Sequence, residues 1–296
     1  MLVLGFGPGG NTGHGNAAMS SANLDIEKHN AFVRANDEVT GVLDTMWESG
    51  ALHPKPLPPG QDWTPDQGKL PALRADSFAL ARDKFHAAAT LSGFVPTLED
   101  AAKPLTAALD AVAPTESELQ AYVDSRGYGE DHGRKGQQLM AVFIPQAQAV
   151  DSAEPAMQEA IAADNMARSR ALLAKLPAAS REHAALQASI DSREAYRALS
   201  HAGPAEHRDY TAFTAALQTL ETDDATLRTS AEQGASDVYK QAYRSLSSTM
   251  DTLVGEGRHL VEIARAGRNS RIEVINFVRV YNVGIAEMNS LYLHAP

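Results

Sequence analysis

The sequence predicts an all-α protein: an elongated bundle of long antiparallel helices, with the first and last helices packed together. Three observations carry that expectation. Apolar residues recur at helical spacing along most of the 296-residue chain, no convincing stretch alternates with period two, and β-branched runs are scarce. Alanine fills 51 positions, which favours helix and lets neighbouring helices approach closely. No segment repeats with the period that a solenoid requires.

The elements follow in order. In the leader, residues 1–23, Gly5, Gly7 and Gly10 fit G-x-G-x-x-G after three apolar residues. Dinucleotide binding needs those glycines to open a helix inside a strand–helix–strand unit. Asn11-Thr12-Gly13-His14-Gly15-Asn16 supplies neither. The leader lacks the basic flank and apolar core of a complete secretory signal. It reads as flexible chain: added residues, a misplaced start or the remnant of an export signal.

Residues 24–296 read as one helical domain. The first helix, over 24–49, carries Phe32, Val39, Leu43 and Met46 on one stripe, with Ser21 or Asn23 to cap it and Gly50 to end it. Six prolines between Gly50 and Pro71 make the next segment an extended loop, a stiff connector or a polyproline II docking element. Helices follow over 73–92, 97–112 and 115–124, the last with Thr115 and Glu118 at capping-box spacing. The glycine-rich, charged stretch 126–136 is a turn or structured loop. Helical pattern resumes over 137–149 and 152–176, then between Pro177 and Gly203, over 210–220, 235–266 and 270–293.

The last helix has the clearest stripe: Val274, Val278, Tyr281, Ile285, Met288 and Tyr292, a coiled-coil-like seam. Asn282 and Asn289 flank it, and Asn30 and Asn36 lie beside the stripe of the first helix. Buried asparagines can fix helix register. These four are therefore expected to serve as inter-helix contacts between the first and last helices, the alternative being ordinary surface amides.

Composition narrows the function. The chain has no cysteine, so disulfides, thiolate metal sites and cysteine nucleophiles are excluded. A net charge of −11 argues against sequence-blind nucleic-acid binding, and aromatics at 6% offer no stacking platform. No apolar run is long enough to form a transmembrane segment. Ten histidines occur, yet none forms H-E-x-x-H and no two are four apart. Asp25–His29, Asp83–His86 and Glu206-His207-Arg208-Asp209 read as solvated or structural groups. No catalytic residue, metal or cofactor is expected.

The densest cluster lies between two helices: Tyr122, Tyr128, Glu130, Asp131, His132 and Lys135, with Arg126, Arg134 and several glycines among them. These six are the candidate binding residues. One reading makes them a ligand or protein-recognition loop. The other has Asp131 cap the following helix while Tyr122 and Tyr128 pack the loop down.

Tyr122, Tyr128, Glu130-Asp131, Lys135-Gly136 and Leu139 resemble the tyrosine–acid–lysine–glycine segment of the YiiG-like family of bacterial envelope proteins. Lys28 to Asn36 resembles that family's first helix, and Phe277 to Asn282 with Asn289 its closing one. The resemblance spans residues 24–293. It implies an all-helical fold and a periplasmic or cell-envelope location, commonly as a lipoprotein, and brings no established activity. This chain departs in lacking the lipid-bearing cysteine, so membrane attachment is expected only through an anchor absent from this sequence. Gly129 also lacks the charged residue expected there.

Together these readings suggest a non-catalytic envelope protein that binds another protein. A basic toxin or effector would suit the acidic surface, which steers association; the most concrete version is an immunity-type inhibitor of a secreted antibacterial toxin. The alternatives are a periplasmic binding protein for a small ligand or cell-wall fragment at Tyr122, Tyr128 and Asp131, and a hydrolase using His132 with Asp131 or Glu130.

Overall fold

A computed structural model describes residues 20–55, 61–66, 76–203, 208–232 and 237–293. Among them lie eight α-helices and no strand: α1 (Ser21–Ser49), α2 (Ser77–Thr90), α3 (Pro96–Asp124), α4 (Arg134–Leu173), α5 (Arg181–Ser200), α6 (Thr211–Ala231), α7 (Asp237–Arg265) and α8 (Arg271–Leu293). The chain divides into two compact units, the first ending at Asp164 and the second beginning at Asn165. Most of the leader, Pro56, Pro58, Pro59 and Pro71 of the proline-rich loop, Glu206-His207 and the side chain of Tyr292 lie outside the described residues.

In the first unit, Ser20 caps α1 by accepting the Asn23 N–H, and Gly50 ends it in the left-handed region at φ 70°. The face between them buries Phe32, Val33, Val39, Leu43 and Met46. At the start of α2, Asp76 makes no side-chain cap bond. Glu116 of α3 does that work from across the interface: its carboxylate accepts Ser77 N–H at 3.1 Å and Phe78 N–H at 2.9 Å.

Two expected helix breaks are absent. α3 runs through Pro104 and Pro114, and α4 through Pro145 and Pro155. Proline removes one backbone bond and crowds the preceding turn, but all four prolines sit on exposed faces, where water can satisfy the freed carbonyls. The buried stripe Leu105, Leu109, Val112, Glu116, Leu119 continues past Pro114 uninterrupted, and packing overrides the local signal. Thr115 is therefore no N-cap; its supposed capping partner Glu118 pairs instead with Lys135 Nζ at 3.0 Å.

Helix α1 meets α4 through polar as well as apolar groups. His29 Nδ1 lies 2.6 Å from Asp164 Oδ2, and Thr40 Oγ1 donates to Glu154 Oε1 at 2.7 Å. Asn36, 2% exposed, sits in this seam, its Nδ2 3.5 Å from Thr40 Oγ1. Asn30 is half-buried.

The second unit packs α5 on α6, α6 on α7 and α7 on α8, with α8 returning to α5. Its core contains Phe213, Leu217, Leu220, Leu246, Leu253 and Phe277. Helix α6 continues to Ala231, well beyond the short helix expected, because Leu227, Ser230 and Ala231 extend its buried face. At Gly284 of α8 the backbone lies against α7, where a Cβ would come within 2.9 Å of the Met250 methyl.

The α8 seam is shifted from its expected register. Phe277, Ile285, Met288 and Leu291 point inward, whereas Val274, Val278 and Tyr281 are half-buried. Asn282 is exposed and Asn289 half-buried, so Asn282 is a surface amide and not a buried register pin. The two helices expected to pair belong to different units, and each has partners within its own: α1 packs on α2 and α3, α8 on α7 and α5.

Three of the carboxyls buried at helix interfaces are raised above their ordinary range. Burial raises Glu116 from 4.5 to about 7, outweighing its backbone bonds. Asp191 of α5 is raised by burial and by its hydrogen bond with Asp223 of α6. Asp224, which accepts from Ser247 Oγ at 2.7 Å, is raised by burial and by Asp251. A carboxyl raised in the folded state binds more protons folded than unfolded, so its penalty is full above the folded pKa and fades as pH falls toward the unfolded value. Melting temperature should therefore rise as pH is lowered from 8 to 5. Asp191→Asn should stabilise the chain at pH 8 by on the order of 1 kcal/mol and flatten that rise, as measured by thermal denaturation across pH.

Candidate functional site

The connection from α3 to α4 is short and tightly folded. After Ser125, Arg126 takes a left-handed conformation at φ 54°, a single 3-10 turn covers Gly127–Gly129, and His132 and Gly133 are again left-handed at φ 56° and 73°. Such backbone angles cost a non-glycine residue energy, so surrounding contacts must hold them.

Asp131 provides most of that hold. Its Oδ1 accepts Tyr122 Oη–H at 2.6 Å and Gly133 N–H at 3.0 Å, while Oδ2 accepts Lys135 N–H at 2.9 Å. The carboxylate thus ties the end of α3 to the first turn of α4, where negative charge also suits the helix dipole. The Tyr122 hydrogen bond and then the Lys135 amide hold Asp131 below its ordinary range. Burial, reinforced by that same bond, pushes Tyr122 up to about 12. Tyr128 meets the Tyr122 ring edge-on at 6.5 Å. Of the two readings of this loop, the geometry realises the structural one for Tyr122, Tyr128 and Asp131.

A residue not expected at the loop completes it. Trp63, from the proline-rich segment, is buried with its ring 6.0 Å from Tyr122. A Cβ at Gly136 would overlap the Trp63 ring, and one at Gly133 would overlap the Trp63 backbone. Those two glycines clear one face of the turn so that the proline-rich segment can lie against it. The sequence signal was the pair Gly133 and Gly136 at three-residue spacing, which exposes bare backbone on one side of a helix start; nothing local identified Trp63 as its occupant.

The remaining candidates face outward. His132 Nδ1 lies 3.0 Å from Asp62 Oδ2, Lys135 reaches Glu118, and Glu130, Arg126 and Arg134 are exposed. All six predicted residues are therefore gathered at one tip, in two roles: an inner set that shapes the loop and an outer set that it presents. Asp131 is committed to three donors, and His132 faces Asp62, a different carboxylate from those expected. Among the described residues, no group of three or more His, Asp or Glu is placed to hold a metal ion. What the arrangement supplies is a rigid surface of mixed charge.

The family model described as Protein of unknown function (DUF3829) matches residues 73–274, more than half of the chain. Neither the curated proteins nor the solved structures contain a significant match.

Two substitutions test the construction of the tip. Gly136→Ala forces a methyl into the Trp63 ring and should destabilise the chain by about 1–3 kcal/mol, with a change in tryptophan emission on the same sample. Tyr122→Phe keeps the ring and removes the bond to Asp131; it should cost about 1 kcal/mol in denaturant unfolding.

Proposed function

The chain belongs to the DUF3829 family of unknown function, and we propose that it is a non-catalytic protein-binding module of the bacterial cell envelope. In its most specific form it is an immunity-type inhibitor that captures a secreted antibacterial toxin. One observation carries the binding reading. The α3–α4 tip spends its chemically capable groups, Tyr122 and Asp131, on its own shape. It presents Arg126, Glu130, His132 and Arg134 from a backbone held at two left-handed non-glycine positions. Binding to a surface that is already ordered avoids the entropy of ordering a loop, and exposed loop residues on a rigid scaffold are where recognition concentrates.

The likeness to the YiiG-like family supports the envelope location. The net charge of −11 supports a basic partner, whose approach an acidic field accelerates.

A photo-crosslinking residue at position 132, expressed in the native host, should capture one defined protein. The combined Arg126→Ala, Glu130→Ala and His132→Ala chain should lose that capture while melting within about 2 °C of the parent, since exposed substitutions of this kind are nearly neutral. For the inhibitor form, expression should protect cells against a toxin that the captured protein carries. A tip that captures no protein would overturn the binding reading; capture without protection would overturn the inhibitor form alone.

A further inference from the structure

Where α1 ends against α4 lies a second surface with a distinct chemistry. Trp47, in the last turn of α1, is 51% exposed, an unusual position for the largest aromatic side chain. It is held in place. Its Nε1–H donates to Asp151 Oδ1 of α4 at 2.8 Å, and its ring rests against His53 at 5.0 Å. The chain beyond α1 is equally fixed: Ala51 and Leu52 are buried, and Gln148 Nε2 donates to the Leu52 carbonyl at 2.8 Å.

The charges around this indole are arranged against the stability of the fold. Asp44 and Glu48 are both exposed and four residues apart on α1, a like-charge pair that destabilises a helix. They stand in its closing turns, where the helix dipole is already negative, and no basic residue occupies the last turn. Among the described residues, neither side chain forms an ion pair or a hydrogen bond. Asp151 adds a third carboxylate. Lysine and arginine are absent from residues 35–54 of the first helix and its corner, and from residues 136–167 of α4; Lys55, just past the corner, is the nearest base in sequence. Lys84 of α2 pairs with Glu38 of α1.

We propose that this corner, Trp47 with Asp44, Glu48 and Asp151, is a docking surface for a cationic segment of a protein partner, a lysine or arginine seated over the indole. The proposal rests on the protein-binding reading and adds to it a second surface and the chemistry of what binds there. A cation over an indole face gains from the ring quadrupole. The three surrounding carboxylates, repulsive among themselves in the free protein, become favourable once a positive charge is shared between them. Trp47 is preorganised by Asp151 and His53, so docking does not need to order it.

A short, fluorescently labelled oligo-arginine peptide tests this on the full chain, by anisotropy at low ionic strength. Trp47→Leu and the pair Asp44→Asn/Glu48→Gln should each weaken binding about tenfold. Removing two carboxylates elsewhere in the same unit, with Asp83→Asn/Asp110→Asn, should change it by no more than about twofold, the share due to diffuse attraction. Thermal melting of every variant checks that the fold is retained, and Trp47→Phe, which keeps an aromatic face, should recover most of the affinity lost in Trp47→Leu. Equal weakening by both carboxylate pairs, or an unchanged affinity for Trp47→Leu, would overturn the proposal. The peptide measurement needs no natural partner, so it fails or succeeds independently of the crosslinking experiment at position 132.

Discussion

Trp63 lying against the bare backbone of Gly133 and Gly136 is the contact on which the first unit's functional end depends. It brings a segment rich in proline, with little capacity for backbone hydrogen bonding, onto the start of α4. Once there, the indole covers Tyr122, and the covered Tyr122 hydroxyl has Asp131 as its partner. Asp131 in turn organises the first amides of α4. The left-handed residues Arg126 and His132 are held within this set, so the exposed side chains of the tip inherit their positions from a buried tryptophan that none of them touches in sequence.

Polar groups inside the helical interfaces give both units a second shared character. Glu116 replaces a missing cap on α2, His29 meets Asp164, and Asp191 and Asp224 lie between helices whose other contacts are apolar. Glu116 satisfies two backbone amides and Asp224 a buried serine hydroxyl that would otherwise be alone. Holding carboxyls in such places favours their protonated forms, which links the packing of these interfaces to pH. The Trp47 corner differs: Asp44 and Glu48 lie at the surface, and Asp151 accepts from the indole N–H.

Much of the molecule was legible in the chain. Phe32, Val39, Leu43 and Met46 marked the inner face of α1, Gly50 its end, and the 126–136 segment a structured turn with Asp131 as the cap of α4. These features depend on spacing within a few residues, where periodicity, capping and backbone preference act directly. The failures share a cause. Breaks were expected after residues 112 and 149, yet α3 and α4 run through both points, because the buried stripe of α3 continues and the prolines of both helices face solvent. In α8 the seam through Val274 and Val278 gave way to Phe277, whose larger apolar surface gains more from burial. Asn282 lies at the spacing of a register pin but on the wet side of its helix.

The sequence by itself determined that the chain is helical, where most helices begin, and which residues gather at the α3–α4 tip, since each of these follows from local periodicity and turn chemistry. Only the tertiary structure decided that Trp63 occupies the glycine face, that Glu116 caps a helix 38 residues upstream at Phe78, and that Trp47 stays exposed beside three carboxylates. Those outcomes depend on which surfaces meet, and burial energy is assigned between elements far apart in the chain, where no local pattern can register it.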